Sequence, residues 1–178
     1  MRPLVDRLAG RHGTVGTGVY AAVLGFVVLA LAGAVGLATQ QPWLFPSLGP
    51  TVMLFFESGR EPTARPQNAL VGHLTGIGVG ALLLYGLGLE GQPPATIGGL
   101  TTGYVAAGAL SVAATSLVLQ ILRLPHPPAG ASTLIVSLGI LTTPTELAIM
   151  VAAVVLVTLA GWGANALLGL TPERGRSS

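Results

Sequence analysis

Pro46-Ser47-Leu48-Gly49-Pro50-Thr51-Val52-Met53-Leu54 and Pro127-Pro128-Ala129-Gly130-Ala131-Ser132-Thr133-Leu134-Ile135 share one pattern, P-x-x-G-[PA]-[ST]-[VT]-[ML]-[LI], and stand 81 positions apart. Their surroundings share the offset. Moved by 81, the apolar run 17–38 falls at 98–119, inside the run 97–122, and the run 67–89 overlaps 146–168. Three successive elements with one offset point to duplication rather than to chance likeness of two Pro/Gly stretches. One repeat covers about 17–89 and the other about 97–168.

The four flanking runs reach the roughly 20 apolar residues that a membrane-spanning helix needs, with ionised residues only at their edges. Pro66 suits a first helical turn, and Thr143, Pro144 and Glu146 form a capping box that opens the last span. Trp43 fits a water interface, and Trp162 fits an interface or plain packing. Each repeat is therefore a full span, a short apolar segment opened by a Pro/Gly break, and a second full span. The short segments, 47–56 and 128–140, cover as helices only about half of a roughly 30 Å hydrocarbon core. An extended lead-in must complete each crossing, or the segment must turn back.

Composition agrees with a membrane home. The chain has 178 residues, 51% hydrophobic and only 8% charged, where soluble domains carry about 25% charge. Mean hydropathy is +0.76. A water-soluble globule and a disordered tail are both excluded. With no cysteine, so are disulfide scaffolds and thiolate metal sites. The net charge of +2 comes from eight arginines, no lysine and six acids, and no basic cluster in the interior supports nucleic-acid binding. The first span has basic residues before it and small residues after it, like a signal peptide. It exceeds the usual apolar length of about 7 to 15 residues, however, and the repeat requires it.

Arginine placement chooses the topology. With six crossings, Arg2, Arg7, Arg11, Arg60, Arg65, Arg123, Arg174 and Arg176 share one side, and Glu90 and Glu146 face the other. Positive-inside statistics make the arginine side cytoplasmic. Re-entrant segments would instead place Arg60, Arg65 and Arg123 outside. Three crossings per repeat invert the two halves. The expected fold is an all-α polytopic membrane protein, with four full transmembrane helices and two midplane-starting half-helices in an inverted 3+3 repeat. It forms one membrane domain with short cytoplasmic tails at 1–16 and 169–178. A bacterial inner (plasma) membrane location with both termini cytoplasmic follows.

In this arrangement the two half-helix starts face each other. A helix start has unpaired N–H groups and a partial positive charge of about half a unit, so two starts meeting in low dielectric favour a small anion or dipole and repel a bare cation. Pro46, Pro127 and Pro128 give up an N–H that a first turn leaves orphaned, while Gly49 and Gly130 let backbone approach a ligand or a neighbouring helix. Thr51 and Ser132 offer hydroxyls either to an anion or back to a helix carbonyl. Ser47, Leu48 and Ala129 complete the two starts as pathway candidates. The lead-ins 39–45 and 123–126 should border the pathway, because non-helical backbone at this depth needs protein or a wet cavity around it.

His126-Pro127-Pro128-Ala129-Gly130 resembles the signature of the HPP family of membrane proteins, named for that tripeptide. Residues 45–51 resemble its upstream Gly-rich block, and Arg65-Pro66-Gln67-Asn68 followed by Gly72-His73-Leu74 resembles its second region, where the usual order is Gln-Pro-Arg-Asn. The likeness covers roughly residues 20 to 168. It implies a polytopic membrane protein, described in the family as having four spans, and for some members a link with nitrite transport. Formate, nitrate or bicarbonate would suit the same field.

Intramembrane ionisable residues are functional candidates by default. His126, beside a half-helix start, can take a proton or donate a hydrogen bond, or can simply satisfy backbone freed by the prolines. Its repeat counterpart, Phe45, cannot titrate. His73 is either a packed histidine or a second relay or anion contact. Gly72, Gly76 and Gly80 beside it read as a helix-packing face. Asn68 guards an entrance or serves as a helix-start amide. Glu57, Arg60, Glu61 and Arg65 read as a solvated loop in preference to a charged mouth, and His12 as interfacial.

No metal or enzyme motif occurs, and no acid lies inside a span, which disfavours sodium coupling. The expectation is a non-enzymatic channel or transporter for a small inorganic anion, nitrite foremost, with no cofactor. Its partners are the anion and the lipid bilayer, not nucleic acid, and the glycine faces allow a homo-oligomer. The alternatives are a pore for small neutral solutes and a non-transporting membrane subunit or membrane-embedded enzyme.

Overall fold

A computed structural model describes residues 2–170, and within them every regular element is helical. Arg174 and Arg176 lie outside the described residues. Four helices have the length and apolarity to cross a membrane: α1 (Leu4–Thr39), α3 (Pro66–Gly86), α5 (Thr102–Ile121) and α7 (Pro144–Leu167). Two shorter helices, α2 (Leu48–Glu57) and α6 (Ala129–Ser137), follow the Pro/Gly breaks. A 3-10 turn at Pro62–Ala64 and a one-turn helix α4 (Ala95–Gly98) lie in the connections.

The predicted helix signals act as expected. Pro66 occupies the first turn of α3. Thr143 and Glu146 form the reciprocal capping box of α7, which satisfies N–H groups that a helix start otherwise leaves open. The first span starts earlier than its apolar run. Helix begins at Leu4 and kinks at Gly13, whose φ of 57° and ψ of −140° a side chain would resist. Leu4, Val5 and Leu8 turn inward onto the core, and Arg7, Arg11 and His12 stay exposed. Residues 4–16 are therefore part of the fold rather than a free tail.

Contacts fix which ends lie together. At one end the Leu4 N–H donates to the Leu168 carbonyl at 3.0 Å, and Arg60 pairs with Asp6 at 2.7 Å. There too, Asn68 donates to the Pro125 carbonyl. At the other end Tyr85 hydroxyl donates to the Thr142 carbonyl, the Ala95 N–H to the Leu138 carbonyl, and Tyr104 hydroxyl to the Pro93 carbonyl. The chain segments carrying Arg7, Arg60, Arg65 and Arg123 thus gather at one end, and those carrying Glu90 and Glu146 at the other. The segment from Pro125 to Leu138, which carries α6, runs from one end to the other.

The helices interleave. α2 packs on α1 and α7, while α6 packs on α5 and α3; α1 meets α7, α5 meets α3, and α3 meets α7. Two core clusters result, a large one around Phe55, Phe56, Met150 and Val154 and a small one around Leu84, Leu89 and Tyr104. Val15, Val19, Val23, Phe26 and Leu37 leave an apolar face of α1 uncovered. Such a face is a liability in water and suits lipid tails.

Candidate functional site

Three glycines press α6 against α3. A Cβ on Gly72 would stand 2.8 Å from His126 Cβ, one on Gly76 2.6 Å from the Ala129 carbonyl oxygen, and one on Gly80 2.8 Å from the Thr133 carbonyl oxygen. The expected packing face is therefore present, and it holds His126 against α3 beside His73. The two imidazoles meet edge to face with centroids 4.9 Å apart.

Both short-helix starts converge on this pair. Thr51, in the first turn of α2, lies 2.8 Å from His73 Nε2. Ser132, its counterpart in the first turn of α6, lies 2.6 Å from His73 Nδ1. The two hydroxyls, 81 positions apart, thus bracket one ring. His126 Nε2 is 3.3 Å from both Thr51 Oγ1 and His73 Nε2, and its Nδ1–H donates to the Thr63 carbonyl at 2.9 Å. Thr51 also lies 3.1 Å from the Ser47 carbonyl, so the back-bonding and site roles coexist at this hydroxyl. All four side chains are at most 2% exposed. His73 is the eighth of the 21 residues of α3, about 11 Å along a helix of about 31 Å and toward the arginine-bearing end.

The remaining candidates divide. Asn68 is buried; its Nδ2 donates to the Pro125 carbonyl at 3.2 Å, and its Oδ1 has no protein partner. Ser47 Oγ is likewise buried and unpaired, a state that calls for water or a ligand. Pro127 and Gly130 border a cavity of about 250 Å³ with His126, Thr115, Ser116 and Gln120. Leu48 belongs to the hydrophobic core, Ala129 to the seam with Gly76, and Pro128 is the buried N-cap residue of α6. Pro46 is exposed, and Gly49 opens onto a separate groove between α1 and α2.

Three expectations change. A Cβ on Gly49 or Gly130 would meet nothing within 4 Å, so the close approaches between helices are made at Gly72, Gly76 and Gly80, and Gly130 faces the cavity beside His126. The first N–H groups of α6 are not free: Ala129, Gly130 and Ala131 donate to the His126, Pro127 and Pro128 carbonyls, because the proline pair winds a tight i to i+3 turn ahead of the helix. Donors at this start are therefore side chains. The loop after α2 is also more than a solvated run, since Arg60 pairs with Asp6 and the 3-10 turn supplies the Thr63 carbonyl under His126.

Sequence reading missed several groups. Thr63 acts through its backbone, which no residue type announces. Thr133 lies 3.0 Å from Thr115 and bonds back to Ala129, closing the wall beside the site. Asn165 donates to the Phe55 carbonyl at 2.6 Å and accepts from Tyr20 hydroxyl at 2.8 Å, tying the end of α2 to α1 and α7. An amide inside an apolar span was the available signal for Asn165. Among the described residues no group of three or more His, Cys, Asp or Glu side chains is placed to hold a metal ion.

Four apolar spans with a buried polar cluster where two helices break define an all-α integral membrane protein. The chain belongs to the HPP family: the family model described as HPP, transmembrane region, matches residues 11–172. No curated protein and no solved structure matches it.

Proposed function

We propose that this protein carries a small inorganic anion, nitrite foremost, across the bacterial inner membrane, with both termini cytoplasmic and its two repeats inverted. The observation that carries this reading is the bracketing of His73 by Thr51 and Ser132, equivalent positions of the two helix starts. A second contact obeys the same offset: Gly80 packs on Val136, and Gly161 packs on Phe55. Equivalent contacts of this kind are what a two-fold relation between inverted halves produces.

The chemistry follows from the setting. The two helix starts lie in one low-dielectric region, and because the first N–H groups of α6 are already paired, the donors available to an anion there are side chains. Hydroxyl and imidazole groups supply hydrogen bonds that replace part of the hydration shell. The 250 Å³ cavity beside His126 is large enough for a three-atom anion with water. Thr115, Ser116 and Gln120 line the same cavity and offer polar groups to that water.

The test is flux into proteoliposomes containing the full chain. Uptake of nitrite without uptake of glycerol supports the proposal, with formate and nitrate ranking selectivity. Glycerol or water flux alone replaces it with a neutral-solute pore, and silence for every solute argues for a non-transporting subunit.

A further inference from the structure

We propose that His73, Thr51 and His126 form a single-proton relay, in which the Thr51 hydroxyl switches acceptor as His126 gains or loses a proton. The inference deepens the transport reading, on which it rests only for its physiological role.

Hydrogen-bond accounting fixes the proton positions. A carbonyl can only accept, so the contact to Thr63 puts a proton on His126 Nδ1 and makes Nε2 of the neutral ring an acceptor. Two tautomers of His73 are then possible. If Nδ1 carries the proton, it donates to Ser132, and the two Nε2 lone pairs confront each other at 3.3 Å with one Thr51 hydrogen between them. One lone pair stays unsatisfied, which is expensive in a buried site. If Nε2 carries the proton, every group is served. Ser132 Oγ–H donates to His73 Nδ1, His73 Nε2–H donates to Thr51 Oγ1, and Thr51 Oγ1–H donates to His126 Nε2.

Adding one proton requires little rearrangement. When His126 Nε2 is protonated it becomes a donor to Thr51 Oγ1, and the Thr51 hydrogen turns to the Ser47 carbonyl, already 3.1 Å away. A second proton would place two cations with nitrogens 3.3 Å apart in low dielectric, so the pair holds one. The groups facing the rings are Thr51 from α2, Ser132 from α6 and the Thr63 carbonyl from the 3-10 turn, none of them charged. Arg65 and Arg123 are the charged residues nearest along the chain, and among the described residues no acidic side chain joins the pair in a cluster of three. One proton held beside one monovalent anion makes the transported unit electroneutral.

The test reads the protons directly, by nitrogen NMR of the histidine-labelled full chain in lipid nanodiscs. At high pH His73 should be the Nε2–H tautomer and His126 the Nδ1–H tautomer; on acidification a single proton should enter at His126. A Nδ1–H tautomer at His73, or two independent protonations, overturns the relay. Thr51→Val removes the acceptor of the charged ring and should lower the His126 midpoint by about one pH unit, the tenfold expected of one buried hydrogen bond. Thr51→Ser should restore it, and wild-type titration in Thr51→Val overturns the switch. In vesicles, nitrite influx should acidify the lumen beyond protein-free controls by one proton per nitrite. Nitrite movement without protons ends the coupling claim, whereas absence of nitrite flux ends the transport reading and leaves the NMR result to decide the relay.

Discussion

The starts of α2 and α6 carry the same nine-residue pattern and end in different chemistry. Ahead of α6 stands His126 facing His73; at the equivalent positions of the other joint stand Phe45 and Val154, both buried and apolar. The seams behind them differ in the same direction. α6 lies against Gly72, Gly76 and Gly80 of α3, whereas α2 faces a helix that carries Ala153, Val157 and Gly161 at those places. One joint buries a histidine pair, and the other, with the same nine-residue pattern, buries apolar side chains in the corresponding places. The lesson is that one sequence pattern used twice need not carry the same chemistry.

The tight seam is the place to break that comparison. Gly76→Leu drives a side chain into the Ala129 carbonyl and Thr133, at 2.6 and 2.7 Å from a Cβ. The expected loss is about 3 kcal/mol or more, the upper range for overpacking, read as a collapse of the unfolding midpoint in detergent. Converting the polar joint to its apolar twin is next. His126→Phe and His73→Val should each lower nitrite flux about a hundredfold, the scale of a lost proton-transfer group. Helical content should persist, and flux unchanged at every pH would remove the histidines from the mechanism.

Much of this was legible. Spans announce themselves because lipid demands long apolar runs, and the α7 cap because Thr143, Pro144 and Glu146 satisfy N–H groups locally. The repeat offset and the arginine asymmetry located both breaks and their ends. The partners of the site were not legible. That Thr51 and Ser132 share one histidine depends on how four helices interleave, and that Thr63 supports His126 depends on a backbone carbonyl. The packing role of Gly72, Gly76 and Gly80 was legible from their spacing, whereas the open surroundings of Gly49 and Gly130 were not, because they depend on how the neighbouring helices lie.

The seams can be compared more finely by adding one methyl to each. Gly80→Ala meets the Thr133 carbonyl and Val136 Cβ, while Gly161→Ala meets the edge of the Phe55 ring. Backbone cannot yield and a ring can tilt, so the first should cost about 2 kcal/mol and the second about 1. Equal losses would mean that the two joints are equally tight. Gly130→Leu points into the open cavity instead, and should cut nitrite flux while shifting stability by less than about 1 kcal/mol. Normal flux in that variant would show that the cavity is off the pathway.

The two ends of the bundle give the smallest contrast. Tyr104 is 2% exposed and donates to the Pro93 carbonyl, so Tyr104→Phe leaves an acceptor short of a partner and should cost about 1 kcal/mol. Asp6 and Arg60 are 37% and 49% exposed, and water screens their attraction. Asp6→Asn should therefore cost at most about 0.5 kcal/mol, and the difference should vanish in high salt. A larger, salt-resistant loss would mean that the pair is shielded where it lies, and would make the arginine-bearing end a locked closure instead of a solvated rim. Cysteines at 60 and 90 provide the matching topological check: they should react with impermeant reagent from opposite faces, because the chain between them crosses once as α3.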